Sequence, residues 1–290
     1  MVKITSIMVL ALIGLYNQTN AQKFDGKSNS LLWKVSKNGI NGSSYIAFTM
    51  ADLCETSPSL LGKMTKLADK LDTYYTETDQ TTNEVMEKIL KIENSDESLR
   101  NILPAKYYLK TKLKLGDTYD EKKINHYHPA VIYNWLARRI TPECNNVNLT
   151  QQIFLAYAEQ HAYPTKGLTR FEELFNISKK SGTAYYISEI KNIIDNEDQI
   201  KQDVQIKAAL YLKENLHELE KLYNKSSYLN LKPAAVSGFE NRIRLLTERL
   251  DKAFKTGNII VTVNLNSVMY PNNNIFDELR KMGYLLSPVF

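Results

Sequence analysis

The sequence predicts an α/β fold: a small mixed sheet built from N- and C-terminal strands, with a large, mainly helical middle insertion. Three observations carry this reading. β-Rich runs stand at 31–36 and 44–49 and return at 259–263 and 284–289, while apolar residues between positions 83 and 255 recur mostly at three- and four-residue steps. No Pro-, Gly- or Ser-rich linker and no internal repeat divides the chain. Strands so far apart in sequence must pair with each other to bury a common core, so one domain over 22–290 is expected.

The elements follow in order. Leu31 to Ser36 and Ser44 to Thr49 are two short strands separated by the turn Asn38-Gly39-Ile40-Asn41-Gly42. Leu60, Leu61, Met64, Leu67, Ala68 and Leu71 then mark an amphipathic helix, with Ser57 as its cap before Pro58. Thr73 to Glu77 is a third strand with an acidic end at Glu77 and Asp79. Helical patterns follow at Asn83 to Glu93, Pro104 to Leu115, Pro129 to Arg139, Leu149 to His161, Ala184 to Ile194, Gln199 to Tyr223 and Ala234 to Lys255, interrupted by one strand at Tyr163 to Leu168. Thr256-Gly257 stops the last long helix, and Ile259 to Val263 is the most β-branched run in the chain. A helix at Ile275 to Met282 and a strand at Tyr284 to Val289 complete the pattern.

Composition narrows the function classes. The chain has 290 residues, 43% hydrophobic and 24% charged, with 11 Gly and 8 Pro, which excludes fibrous and disordered classes. The 37 Lys and Arg exceed the 32 Asp and Glu by only 5 and are scattered, so no nucleic-acid surface is expected. The 18 Tyr lie among apolar residues at helical or strand spacing and read as core or half-buried positions.

Lys3, the apolar run Ile4 to Tyr16, the polar stretch after it and the small residue Ala21 read as a secretory signal peptide over 1–21. The competing reading, an uncleaved anchor, meets an apolar run shorter than the ~20 residues a spanning helix needs. Export to the periplasm or outside the cell is therefore expected, with no membrane span after cleavage. Cys54 and Cys144 either pair in that oxidising setting or remain buried thiols.

Taken together, Leu31-Leu32-Trp33-Lys34-Val35-Ser36 with Asn38-Gly39, Ser44-Tyr45-Ile46 with Thr49-Met50, Thr76-Glu77-Thr78-Asp79, Lys166-Gly167-Leu168 and the closing Arg280-Lys281-Met282-Gly283-Tyr284 with Ser287-Pro288-Val289 resemble the TraB/GumN family, which includes the Tiki proteases. The resemblance runs in order from residue 31 to the C-terminal end. It implies metal-dependent hydrolysis, because members carry two Gly-x-x-His motifs at strand ends and acidic residues suited to a divalent metal, which would activate a bound water.

This chain departs from that pattern. Phe48 stands at the first motif's Gly and Ala51 at its His; Asn264 and Ser267 take the same two places in the second motif; Thr169 replaces the Glu that follows Gly-Leu. Glu77 is the retained acidic candidate, and Arg242 falls within one residue of an Arg in the family's late helix. The resemblance with these departures implies an exported binding protein, a pseudoenzyme without a metal or other cofactor, whose former cleft holds a peptide or small ligand. Phe48 and Ala51 are expected to make that cleft apolar.

The alternative is a divergent metal-dependent hydrolase with a rearranged ligand set that joins Glu77 to His126 and His128, whose i, i+2 spacing puts two imidazoles on one side of an extended segment. His161 and His217 read as isolated helical residues, and Ser267 or Cys54 as nucleophiles only if a base partner exists. A third reading, a helical protein unrelated to the family, requires that the terminal strands do not pair.

Overall fold

The computed structural model describes residues 29–40, 42–50, 53, 57–79, 90–91, 98–116, 120–140, 150–270 and 273–290. Six strands form one mixed sheet: β1 (Leu32–Ser36), β2 (Ser44–Thr49), β3 (Thr73–Thr78), β4 (Thr165–Thr169), β5 (Ile259–Asn264) and β6 (Leu285–Pro288), in the order β4-β3-β5-β2-β1-β6. β5 lies between β2 and β3, parallel to both, and β4 is parallel to β3. β1 runs antiparallel to both β2 and β6. N-terminal and C-terminal strands therefore pair directly, which removes the unrelated-helical reading.

Thirteen described helices connect or cover the strands. α1 (Pro58–Ala68) starts as expected, with Pro58 in its first turn and the Ser57 hydroxyl accepting from the Leu60 N–H at 3.2 Å. The insertion comprises α2 (Leu99–Ile102), α3 (Ala105–Leu115), α4 (Glu121–His126), α5 (Pro129–Ile140), α6 (Thr150–Gln160), α7 (Phe171–Lys179), α8 (Thr183–Asp195), α9 (Glu197–Leu212) and α10 (Leu216–Lys225). α11 (Pro233–Phe254) leads to β5, and α12 (Asn266–Met269) and α13 (Ile275–Lys281) lead to β6. α2, α4, α7 and α12 are absent from the sequence expectation. The helix expected at Asn83 to Glu93 lies outside the described residues except for positions 90 and 91.

The segment expected as one helix from Gln199 to Tyr223 is broken between α9 and α10, where Glu214 adopts a left-handed φ of 53°. No Gly or Pro announces this bend; a buried side chain holds it. One Glu214 carboxylate oxygen accepts from the Leu31 N–H at 2.9 Å and from Lys63, and Lys63 also donates to the Ser30 hydroxyl at 3.0 Å and the Val289 carbonyl at 3.2 Å. One buried ion pair thus ties the start of β1, α1, the α9–α10 corner and the residue after β6 together.

The core has two parts. One surrounds the sheet, with Trp33, Phe48, Leu246, Phe254, Ile260 and Leu279 among its buried members. The other lies inside the helical insertion, around Leu115, Ile132, Tyr186, Ile190 and Val204, and the half-buried Tyr228 packs against both. Gly167 is required where β4 meets β3: a Cβ there would stand 2.2 Å from the Asp79 backbone nitrogen. Among the described residues no helix is long and apolar enough to cross a membrane.

Candidate functional site

The four parallel strands end at one edge of the sheet, and this edge brings Glu77, Thr169 and Asn264 together. Thr49 pairs with Asn264 at the ends of β2 and β5, and Thr78 pairs with Thr169 at the ends of β3 and β4. Such carboxyl-terminal strand ends are where open α/β sheets place ligands, because rigid strands present side chains to loops that leave space above them. A cleft of about 720 Å³ opens there, with Thr49, Glu77 and Asn264 on its sheet side and Tyr133, Trp135 and Tyr228 on its helical side.

Glu77 lies one residue before the end of β3 and is 8% exposed. Its Oε1 accepts from Arg242 of α11, through Nε at 3.0 Å and also through Nη2. Its Oε2 accepts from the Asn264 backbone N–H at 2.8 Å. Both oxygens are therefore committed to charge-assisted bonds within the protein. Thr169 donates its hydroxyl to the Glu77 carbonyl at 2.6 Å and so braces the same residue. Asn264 is bound in turn: its Oδ1 accepts from the Asn266 N–H at 2.9 Å, and Asn266 Oδ1 accepts from the Tyr223 hydroxyl at 2.5 Å.

Two of the sequence-derived positions point elsewhere. Phe48 is fully buried, with its ring edge-on to Phe276 at 5.3 Å, on the same side of the sheet as Trp33, so it enlarges the core beneath the sheet and does not line the cleft. The expectation that Phe48 makes the cleft apolar is corrected: alternation along β2 turns Thr49 toward the cleft and Phe48 away. Ser267 is 0% exposed in α12, and its hydroxyl has no hydrogen-bond partner among the described residues. It faces no substrate space and cannot serve as a nucleophile there. Ala51, Cys54 and Cys144 lie outside the described residues.

The histidines do not join Glu77 in the cleft lining. His126 ends α4 and His128 precedes α5, so they do not share one extended segment as the spacing suggested. His128 packs edge-on to Phe175 and Tyr186 at 6.0 and 5.9 Å, and its Nδ1 accepts from the Ala130 N–H at 3.1 Å, which uses it as a helix cap. Burial, with Lys179 adding to it, pushes its imidazole below the ordinary value. His161 stacks between Tyr157 and Tyr163 at 4.1 and 6.0 Å on the surface, and His217 opens α10 beside Asn29.

A catalytic divalent ion needs about three protein ligands converging on one point. Here the Glu77 carboxylate is spent on a guanidinium and a backbone N–H, and among the described residues no three His, Cys, Asp or Glu side chains converge. The donor set among the described residues does not fit such an ion.

The cleft carries features that sequence reading missed. Lys207 from α9, Tyr223 from α10 and Tyr270 after α12 meet in its wall, with the Lys207 ammonium 5.9 Å from the Tyr223 ring centre and the two tyrosine rings edge-on at 5.8 Å. Burial pushes the Tyr270 hydroxyl well above the phenol range; Tyr223 adds to this, while Lys207 and Arg242 pull against it. It stays protonated near neutral pH and donates to the Leu229 carbonyl at 3.2 Å. The only sequence signal for this wall was the number of tyrosines.

A mixed α/β sheet whose parallel strand ends face a helical insertion across a cleft, with the Glu77 carboxylate and the Arg242 guanidinium paired at the edge, defines a protein with a ligand-sized cleft at the carboxyl ends of its strands. The chain belongs to the TraB/PrgY/gumN family, whose model matches residues 31–288. No curated protein and no solved structure matches it.

Proposed function

We propose that this protein is an exported, non-catalytic member of its family that binds a peptide or small ligand in the cleft at the sheet edge. The observation that carries this is the state of Glu77, whose two carboxylate oxygens are both taken by Arg242 and the Asn264 N–H at the place where the family would present metal ligands. A carboxylate held this way is a structural anion: to coordinate a metal it must first surrender charge-assisted bonds made in a partly dry site. Export is supported by the sequence of residues 1–21 alone. Calorimetric titration of the purified 22–290 protein with manganese, cobalt and zinc at neutral pH, together with elemental analysis, tests the proposal. No stoichiometric uptake is expected. One tightly held ion per chain overturns it and restores the divergent-hydrolase alternative.

A further inference from the structure

We propose that the outward ridge of α3 docks on a bilayer surface carrying anionic lipid, with Leu109 and Leu113 entering the acyl boundary and Lys106 and Lys110 meeting the headgroup phosphates. No described residue of α3 lines the cleft, so this contact lies outside the site above. The helix Ala105–Leu115 holds four lysines and no acidic residue. It packs on α5 and α8 and buries Tyr108, Thr111 and Leu115. At about 3.6 residues per turn those three share one stripe, and Lys106, Leu109, Lys110 and Leu113 share the opposite one. Leu109 is 59% exposed and Leu113 81%, against 0% for Leu115. Two leucines one turn apart therefore project from the helix as a short apolar strip with a lysine beside each.

The charge around the strip selects its partner. Two carboxylates beside α3 are each shared by two cations: Glu121 pairs with Lys112 and Arg100, both at 3.2 Å, and Glu197 pairs with Lys114 and with Lys201 at 3.0 Å. A third, Asp195, accepts from the Tyr107 hydroxyl at 2.7 Å, about 120° round the helix from Leu113. Lys106 lies over the Tyr107 ring at 5.2 Å, and among the described residues neither it nor Lys110 makes an ion pair. α4 adds the exposed Lys122 and Lys123 beside its cap, Asp120. A basic helix with an apolar crest complements an anionic bilayer: lysine stems lie along the apolar strip while their ammonium groups reach the phosphates. A protein partner fits the ridge less well, because a specific interface buries ~800 Å² a side around a core depleted of lysine, and here lysines bracket both leucines.

The test is co-sedimentation of the 22–290 protein with vesicles of phosphatidylcholine alone and with ~30% phosphatidylglycerol added, at ~0.1 M salt. Partition onto the anionic vesicles is expected to exceed that onto the neutral ones at least tenfold. Leu109→Ser with Leu113→Ser should weaken it about tenfold. Lys106→Gln with Lys110→Gln should weaken it about twenty-five-fold, near fivefold per lysine. Lys166→Gln with Lys252→Gln, exposed positions on β4 and α11, should change it less than threefold. All replaced side chains are at the surface, and circular dichroism checks that each variant is folded. In Leu113→Trp the new indole should shift its emission to the blue with anionic vesicles and not with neutral ones, which reads insertion at the ridge itself. Equal partition onto both vesicles, a loss as large in the Lys166/Lys252 variant, or partition unchanged by the leucine substitutions overturns the assignment; the last result marks general adsorption of a basic protein. Dimerisation in sedimentation that Leu113→Ser abolishes, without vesicle binding, overturns it in favour of self-association.

Discussion

Replacing Arg242 with Met asks whether Glu77 is bound structurally or held ready for a ligand. The variant leaves a carboxylate with 11% of its side chain exposed and one remaining donor, the Asn264 N–H. Breaking a fully buried pair from one side costs about 3–5 kcal/mol. The Arg242 side chain is 27% exposed to the cleft, so screening lowers the expected cost to about 2–3 kcal/mol. Glu77→Leu removes the acceptor for Asn264 and releases an arginine that can turn to water, for about 1–2 kcal/mol. The double variant places two apolar side chains together and should cost less than the two single costs added, with a coupling of about 2 kcal/mol. Urea unfolding followed by circular dichroism on the 22–290 protein reads all four species, and Arg242→Met should melt about 4–12 °C lower. Single effects that are small and additive within about 0.5 kcal/mol would refute the reasoning, because Glu77 would then be free to serve a metal or substrate.

Ser267→Ala should leave stability unchanged or raise it by up to about 1 kcal/mol, since it deletes a buried hydroxyl with no described partner; a loss above about 1 kcal/mol in the same unfolding assay would contradict this. Gly167→Ala drives a methyl group into the Asp79 backbone and should cost at least about 2 kcal/mol, with lost amide protection in β3 and β4 by hydrogen exchange as the check. At Glu214, burial raises the carboxyl pKa, but Lys63, the Leu31 N–H and Ser59 together hold it below the ordinary value of 4.5. The unfolded chain therefore takes up that proton first, so the stabilisation is fully present above about pH 4.5 and is lost as pH falls through the lower folded value. A melting-temperature profile over acid pH should show this limb in the unaltered protein and a flatter one in Lys63→Met; parallel profiles would sink the assignment.

The sheet was legible because its evidence is local. Ile259 to Asn264 and Ser44 to Thr49 are rich in β-branched and aromatic residues, and that preference survives tertiary context when both faces are covered. α7 was missed although Phe171, Leu174 and Phe175 have helical spacing, because it follows the β4 strand with Arg170 as its cap and no Ser, Asp or Asn to announce it. The break before α10 was invisible for another reason: Glu214 is fixed by Leu31 and Lys63, far away in sequence. At the site, the positions came from family likeness, and Glu77, Thr169 and Asn264 fell on one sheet edge, but side-chain directions did not follow. Phe48 was misplaced because its face depends on β2 register, and the Glu77–Arg242 pair joins residues 165 positions apart, beyond any periodicity. Lys207 was overlooked because a lysine within a helix normally reads as solvent-facing.

The Lys63 cluster has a topological consequence. Ser30 and Val289 both bond to one ammonium, so position 29 and position 290 lie within a short linker of each other, at the end of β1 that neighbours the ends of β2 and β5. A circularly permuted chain that joins these positions and opens at an exposed helix corner would preserve every strand pairing. Whatever is fused to either side, a carrier or a surface anchor, would then leave the domain from the same sheet edge as the cleft, so the choice of tether bears directly on access to it.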